Sequence, residues 1–184
     1  MAICSIEVTL QGTSPLLMHR HPMDIPENFD KLSPEKQVEY AAYREDNVHL
    51  DVVHGGLYVP GEAVRSTLVA AAKFSKGRGR STLQTTAAAC LMVEPEHIYL
   101  GTDKYEIDSR WVVNPPTGGR VIRHRPKLNR WKITFVIKYD DNLLKAVQVR
   151  RIVDDGGALV GLLDFRPACK GPFGRYIVEE WREI

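Results

Sequence analysis

The sequence predicts an α+β fold with a ferredoxin-like, RRM-like βαββαβ core. The segments AICSIEVTLQG and RWKITFVIKY alternate between apolar and polar residues, as half-buried strands do. The segments PGEAVRSTLVAAAKF and DDNLLKAVQVRRIVDDGG place apolar residues at helical spacing. With the less regular segments set aside, the order is strand, helix, strand, strand, helix, strand, which is the split βαβ layout. We expect an antiparallel sheet with both helices on one face.

The first third of the chain supplies one core strand and a long irregular segment. The opening strand is predicted to end at Gly12, with the alternate residues from Cys4 to Leu10 on its buried face. Three prolines interrupt TSPLLMHRHPMDIPENFDKL, which predicts a loop. A short helix is predicted at SPEKQVEYAAYRED, because Pro34 suits the first helical position. A short strand within HGGLYVPG then leads into the first core helix.

The remaining elements complete the core around a second irregular segment. TAAACLMVE is ambiguous between helix and strand, whereas HIYLG predicts a strand. Residues 102–129 show no regular period and are broken by NPPTGG. The last helix is expected to stop at Gly156 and Gly157, and GRYIVEEW is the closing strand. We expect a single domain over residues 1–184, with insertions at about 13–56 and 101–129.

Composition excludes several classes of protein. The 184 residues are 43% hydrophobic and 26% charged. No run of 18 apolar residues is present, and the first residues do not show the basic region followed by an apolar block that is typical of a secretory signal, so we expect neither a membrane span nor such a signal. The three cysteines are far apart and form no CxxC pair, which argues against a disulfide framework and a cysteine zinc site. The P-loop, dinucleotide-binding and GxSxG patterns are missing. We expect a cytoplasmic protein that needs no cofactor or metal.

Positive charge is concentrated in the centre of the chain. The overall net charge is only +2, but residues 1–60 hold nine acids and four bases, a net of −5. Residues 61–138 hold six acids and fourteen bases, a net of +8, and the rest have a net of −1. A basic centre of this kind attracts polyanions, and the attraction falls with salt.

Two clusters account for most of this charge: GRVIRHRPKLNRW at 119–131 and KFSKGRGRST at 73–82. For both, a solvated surface and a phosphate-binding surface remain open, although two clusters together favour binding. Arg166 precedes a proline and either contacts phosphate or pairs with Asp164. The candidate nucleic-acid-binding residues are Arg65, Lys73, Lys76, Arg78, Arg80, Arg120, Arg123, His124, Arg125, Lys127, Arg130 and Arg166.

Two stretches resemble known proteins. GLYVPGEAVRSTLVAAAKF, a short strand followed by Pro60-Gly61 and a helix carrying Arg65, resembles the first helix of RAMP-superfamily proteins, the RNA-binding backbone and processing subunits of CRISPR complexes. GLLDFRPACKGPFGRYIVEEW resembles the glycine-rich loop of that superfamily, here reduced to Gly171 and Gly174. GTSPLLMH and GLLDFRP…FGRY are similar to a group of small, mostly uncharacterised bacteriophage proteins.

The resemblance implies a platform for a single nucleic-acid strand, with subunits assembled side by side. It also implies that residues 102–129 act as a thumb-like hairpin over the strand, with the basic run at its base. Four aromatic residues are candidates for base stacking, each also compatible with a core position: Phe74, Tyr99, Tyr105 and Trp131.

We therefore expect a protein that binds single-stranded DNA or RNA and self-associates along the strand as a filament. The phage-like pattern suggests DNA replication or recombination, or interference with a host CRISPR complex inside a bacterial cell. A binding protein is favoured over an enzyme. One alternative is a metal-independent RNA endonuclease using His19 or His21 as acid and base. Another is a structural subunit whose basic run meets an acidic CRISPR or phage protein.

Overall fold

The computed structural model of the protein describes residues 3–45, 56–113 and 117–184. The predicted insertion at 13–56 and the NPPTGG break therefore lie partly outside the described residues. In chain order the strands are β1 (Ile3–Gly12), β2 (Leu16–Leu17), β3 (Arg44–Glu45), β4 (Gly56–Pro60), β5 (Met92–Glu94), β6 (His97–Tyr99), β7 (Glu106–Val113), β8 (Arg120–Leu128), β9 (Lys132–Asp140) and β10 (Tyr176–Glu183). The α-helices are α1 (Pro34–Ala41), α2 (Gly61–Ala71), α3 (Gln84–Cys90) and α4 (Ala146–Asp155).

The ferredoxin-like core is confirmed. One antiparallel sheet has the strand order β10-β1-β9-β5, and its strands alternate with α2 and α4 along the chain as βαββαβ. The alternate apolar residues of β1 and β9, such as Ile6 and Phe135, are fully buried. They form one core with Leu68 of α2 and Ile152 of α4, because the sheet and both helices share their apolar faces.

The opposite face of this sheet carries paired charges. Thr9 and Thr134 are hydrogen-bonded across β1 and β9, with 3.0 Å between their hydroxyl oxygens. The ion pairs on this face are Glu7–Arg182, Lys132–Glu179 and Lys138–Glu94, each 2.6 Å from nitrogen to oxygen. Because acids match the bases here, this face offers little attraction to a polyanion, unlike the sheet of an RNA-recognition domain.

The second core strand is β5 rather than the predicted HIYLG strand. The ambiguous segment TAAACLMVE contains the end of α3 and then β5, which pairs with β9. HIYLG does form a strand, β6, but Pro95 separates it from β5. Strand β6 pairs with β4, and β4 pairs with β3, so these three strands form a separate sheet.

Strands β7 and β8 pair antiparallel as a hairpin, to which β2 adds a third strand. The inner face of the hairpin carries charged residues and meets the loop after α4, where Arg110 lies over the rings of Phe165 and Phe173 and Arg125 pairs with Asp164. The outer face exposes apolar side chains: Trp111 is 66% exposed and Ile122, directly opposite, is 42% exposed. Most of the charged residues face inward and most of the large apolar residues outward, so the usual alternation is largely inverted and was not recognised in the sequence.

The last helix does not stop at the predicted glycines. It continues as a π-helical turn over Gly156–Val160 and ends at Gly161, whose φ is +77°. A Cβ atom on Gly157 would lie 2.1 Å from the backbone oxygen of Tyr176. The glycine pair therefore allows α4 to approach β10 closely, and the left-handed conformation that ends the helix belongs to Gly161.

Candidate nucleic-acid interface

A groove runs between α2, the loop after α4 and the base of the hairpin. Two adjoining cavities of about 290 and 300 Å³ share His19 and His21, and we call them together the histidine groove. The first cavity is lined by Tyr43, by Ala63, Ser66, Thr67 and Ala70 of α2, and by Val160, Leu163, Asp164 and Arg166. The second includes Arg20, Phe29, Asp30, Tyr40, Arg123 and His124.

Short backbone contacts place the two histidines in this groove. Leu17 pairs with Lys127 at the end of β2, and the Met18 amide donates to the Pro126 carbonyl at 3.0 Å. The Arg20 amide then donates to the Ala41 carbonyl at the end of α1, at 2.9 Å. The segment with His19 and His21 is thus fixed between the hairpin and α1.

The loop after α4 forms the opposite wall. Leu163 and Phe165, on either side of Asp164, have positive φ angles of 57° and 47°. The Asp164 amide donates to the Leu17 carbonyl at 3.0 Å, which ties the loop to β2. A Cβ atom on Gly174 would lie 2.0 Å from the Leu162 carbonyl oxygen, so only glycine allows the loop to close here. This folding directs the Asp164 carboxylate toward the histidines and the hairpin.

A charged cluster connects the groove to the hairpin. Arg125 is 7% exposed, and its guanidinium lies 3.0 Å from the Asp164 carboxylate. The same carboxylate oxygen lies 3.6 Å from His19 Nδ1. Burial, followed by the charge of Arg125, lowers the pKa of His19 to about 4, although Asp164 acts in the opposite direction. His19 is therefore neutral at pH 7.

The geometry of the histidine pair bears on RNA cleavage. The ring centroids of His19 and His21 lie 4.1 Å apart, so both imidazoles occupy one side of the groove. A neutral His19 can accept a proton. An acid–base pair that cleaves a phosphodiester bond places its two groups on opposite sides of the phosphorus, which these adjacent rings do not do.

Most cations of the hairpin run are engaged by acids. Arg125 pairs with Asp164 as described. Arg123 lies 3.2 Å from Asp30, and Lys127 lies 3.1 Å from Glu106. Among the described residues, no acid pairs with the exposed Arg120 and Arg130, and His124 accepts or donates a 2.7 Å hydrogen bond with the Ser109 hydroxyl.

The second basic cluster, at 73–80, is different. Lys73, Lys76, Arg78 and Arg80 are exposed, and none has an ion-pair partner within the described ranges. The loop that carries them is compact, because the Gly77 amide donates to the Ser81 carbonyl at 2.9 Å. We call it the basic loop.

The basic loop continues the floor of the groove. Groove residues Ala63, Ser66 and Ala70 recur at helical spacing on α2, and the next position on that face falls at Lys73 and Phe74. Lys73 Nζ lies 4.9 Å from the centroid of the Phe74 ring, which is 43% exposed. Lys73 and Phe74 therefore follow the groove floor along α2, and the other cations of the basic loop come after them in the chain, while none of these residues lines either cavity.

Three other candidate residues lie in different surroundings. Arg65 donates hydrogen bonds to the carbonyls of Leu91, at 2.8 Å, and Ala88, at 2.5 Å, and so caps the end of α3. Arg166 lines the groove and donates to the Leu163 carbonyl at 2.7 Å rather than pairing with Asp164. Arg130 lies in a separate cavity of about 620 Å³ that shares no lining residue with the groove.

Sequence reasoning missed the most exposed aromatic side chain of the hairpin. Trp131, which was considered for base stacking, is 4% exposed and donates its indole N–H to the Ser14 carbonyl at 2.8 Å. Trp111, on the outer face of the hairpin, is 66% exposed. The alternation in EIDSRWVV, followed in the sequence by prolines and glycines, was the available signal for this strand.

Comparisons with known proteins show the fold and nothing finer. No model of a known protein family matches the chain, and no curated protein matches it in sequence. Among solved structures, it is similar to a chain from the cryo-EM structure of the Type III-B Cmr-beta bound to cognate target RNA, with a TM-score of 0.59 and 9% sequence identity. The match covers 99% of this chain and 61% of that chain. The likeness agrees with the ferredoxin-like fold described above.

No helix within the described residues is long and apolar enough to cross a membrane. In the same residues, no group of three or more histidine, cysteine or acidic side chains is placed to hold a metal ion.

Proposed function

We propose that the protein binds single-stranded nucleic acid in the histidine groove. The observation that carries this proposal is the basic loop: four exposed cations without acid partners among the described residues follow the helix whose face forms the groove floor. Phosphates would contact the basic loop beyond one end of the groove and Arg166 within it. At the hairpin end, His124 lines the second cavity of the groove.

The binding would depend on backbone charge and hence on salt. Lysine and arginine contacts to phosphate carry no base information, so binding would be largely independent of sequence. We expect a preference for single strands, because the groove is lined on one side by α2 and on the other by the loop after α4, which is tied to β2. The proposal includes a role in phage DNA replication or recombination, or against a host CRISPR complex. This part is supported by the motifs GTSPLLMH and GLLDFRP, which resemble those of bacteriophage proteins.

The outer face of the hairpin supports self-association along the strand. Ile107, Trp111, Val113 and Ile122 expose apolar surface on this face. Exposed apolar patches of this kind mark contact surfaces between proteins. A neighbouring subunit on the strand would cover it, and light scattering would then report a mass that rises with oligonucleotide length.

The test is a fluorescence-anisotropy titration of single-stranded and duplex oligonucleotides at several salt concentrations. The wild-type protein is expected to prefer the single strand. In the variant K73Q/K76Q/R78Q/R80Q, the slope of log K against log salt should fall by about 3, since each lost phosphate contact removes roughly 0.7 on a single strand.

The matched control removes four cations from outside the groove. K132Q/K138Q/R151Q/R182Q changes the net charge by the same amount, at positions paired with acids on the sheet face and on α4. It should keep the wild-type slope. Equal losses in both variants would mean that net charge alone drives binding, and the groove would then be rejected as the site.

A nuclease is the second candidate, because a neutral His19 lies beside His21 and Asp164. Incubation with labelled RNA in the presence of a chelator tests it. We expect no cleavage. Cleavage that disappears in H19A/H21A while binding persists would establish the enzyme instead. No oligonucleotide binding at any salt would favour an acidic protein partner for the basic loop.

A further inference from the structure

An aromatic cluster covers the outer face of the β3-β4-β6 sheet. Tyr58 and His97 have their ring centroids 4.0 Å apart with planes inclined by 22°, which is a stacked arrangement. Tyr99 lies directly opposite Tyr58 in the register of β4 and β6. Tyr43 meets the edge of Tyr58, with 5.9 Å between centroids. Because side chains alternate along strands, the intervening Leu57, Val59 and Ile98 are buried beneath.

A carboxylate is held at the edge of this cluster. One oxygen of Glu45 accepts hydrogen bonds from His97 Nδ1, at 3.1 Å, and from the Tyr99 hydroxyl. These two hydrogen bonds lower the pKa of Glu45, so its side chain is ionised at neutral pH. Oε2 therefore has both lone pairs occupied, whereas Oε1 can still accept.

The cluster is accessible and adjoins the groove. The side chains of His97 and Glu45 are 37% and 38% exposed. Tyr43 lines the histidine groove and also contacts Tyr58. Aromatic surface therefore runs without a break from the groove wall to the Tyr58–His97 pair.

We propose that this cluster is a nucleobase site: one base of the bound strand stacks on the Tyr58–His97 pair and donates its exocyclic amino group to Glu45. Base stacking on an aromatic ring is tolerant of sequence, but an ionised carboxylate can only accept hydrogen bonds, so it discriminates by the donors that a base presents. Cytosine, adenine and guanine carry an exocyclic amino group, whereas thymine and uracil present a carbonyl oxygen in place of the amino group of cytosine and keep the ring N3–H as their donor. The site would give a phosphate-binding protein a preference among bases. This inference depends on the proposed function.

The test compares oligo(dC) with oligo(dT) of equal length at pH 7.5, because the two pyrimidines differ at the position that would meet Glu45. The wild-type protein should bind oligo(dC) roughly tenfold more tightly. Glu45→Gln should bring the ratio close to one, since a side-chain amide can donate to the thymine oxygen as well as accept. A ratio is unaffected by partial unfolding of the variant.

The stacking half of the proposal is tested at Tyr58. Tyr58→Ala should weaken binding of both oligonucleotides by about tenfold, whereas Tyr58→Phe, which keeps the ring, should bind as the wild type does. Unchanged affinity in Tyr58→Ala and an unchanged ratio in Glu45→Gln, with binding still lost in K73Q/K76Q/R78Q/R80Q, would overturn the base site and leave the groove intact. Wild-type protein that binds no oligonucleotide would overturn both.

Discussion

The hairpin and the basic loop are both rich in basic residues, but in the described part of the fold most hairpin cations are paired with acids and those of the basic loop are not. In the hairpin, Arg123 and Arg125 meet acids from distant parts of the chain, Asp30 and Asp164. In the basic loop, none of the four cations has an acid partner within the described residues. Attraction to a polyanion is therefore better assigned to the loop, because an ion-paired base is already neutralised.

The acids that neutralise the hairpin come partly from the acidic first third. Helix α1 packs against β8 in the same chain, and Asp30 lies just before that helix. The segment charges of −5 and +8 also predict that this acidic segment docks onto the basic centre of a neighbouring subunit through Glu35, Glu39 and Glu45, of which Glu45 is hydrogen-bonded to His97 and Tyr99 in the same chain. Reversing the charges of Glu35, Glu39 and Glu45 should weaken self-association, and unchanged assembly would contradict this docking.

The largest expected effect is the loss of stability when the ion-paired hairpin cation Arg125 is removed. Arg125→Ala should lower the free energy of unfolding by about 3 kcal/mol, because it leaves the Asp164 carboxylate beside a buried site without its partner. Urea denaturation at pH 7 measures this. The control Arg151→Ala removes an exposed arginine 3.8 Å from Asp155 and should cost about 0.5 kcal/mol or less. Equal costs would mean that Arg125 is as solvated as the exposed Arg151.

The core could be predicted from the sequence because its periodicity is local. In β9, Ile133, Phe135 and Ile137 alternate with polar residues, and one face is buried as this pattern requires. The second core strand was assigned to HIYLG instead of β5, because three residues of β5 are too few to show a period. The α-helix ends before the predicted glycines, but the helical path continues through them as a π-helical turn, because these glycines serve close contact with Tyr176.

The sequence identified the basic residues of the candidate site but not the partners with which they pair. The sequence contains Arg125 and Asp164 but no signal that a loop with two positive φ angles brings them together. Likewise, Arg65 was grouped with phosphate-binding residues, while its actual hydrogen-bond acceptors are carbonyls 23 and 26 positions away. Long-range partners of this kind depend on tertiary structure, which pattern reasoning does not reach.

A pH change should affect the hairpin side of the groove more than the basic loop. The pKa of His19 is about 4 in the folded protein and near 6.5 when unfolded, so the unfolded chain binds more protons between these values. The contribution of neutral His19 to the free energy of unfolding is fully present above pH 6.5 and is lost as the pH decreases toward 4. From pH 7 to pH 5 the wild type should lose about 1–2 kcal/mol more than His19→Gln in urea titrations. His21→Gln is the control, and a wild-type-sized loss in His19→Gln would contradict this prediction.

Arg65 provides a smaller test of the same distinction between engaged and free cations. Arg65→Gln should cost about 1.5 kcal/mol, because the carbonyls of Ala88 and Leu91 lose their charged donor. The salt slope of oligonucleotide binding should stay the same. If instead the slope falls by roughly 0.7 while stability is unchanged, Arg65 contacts phosphate and its role as a helix cap is secondary.

The smallest effect converts an engaged hairpin cation into a free one. Asp30 is 80% exposed at its side chain, and its loss would leave Arg123 without an acid at the edge of the groove. Asp30→Asn should therefore strengthen binding by about twofold to threefold and raise the salt slope by roughly 0.7, as one added phosphate contact would. Glu27→Gln removes an equal charge from the same segment, where no ion pair is present among the described residues, and should change the affinity less. Equal gains in the two variants would mean that the acidic segment acts through its total charge, and the contrast between paired and unpaired cations would then not explain binding.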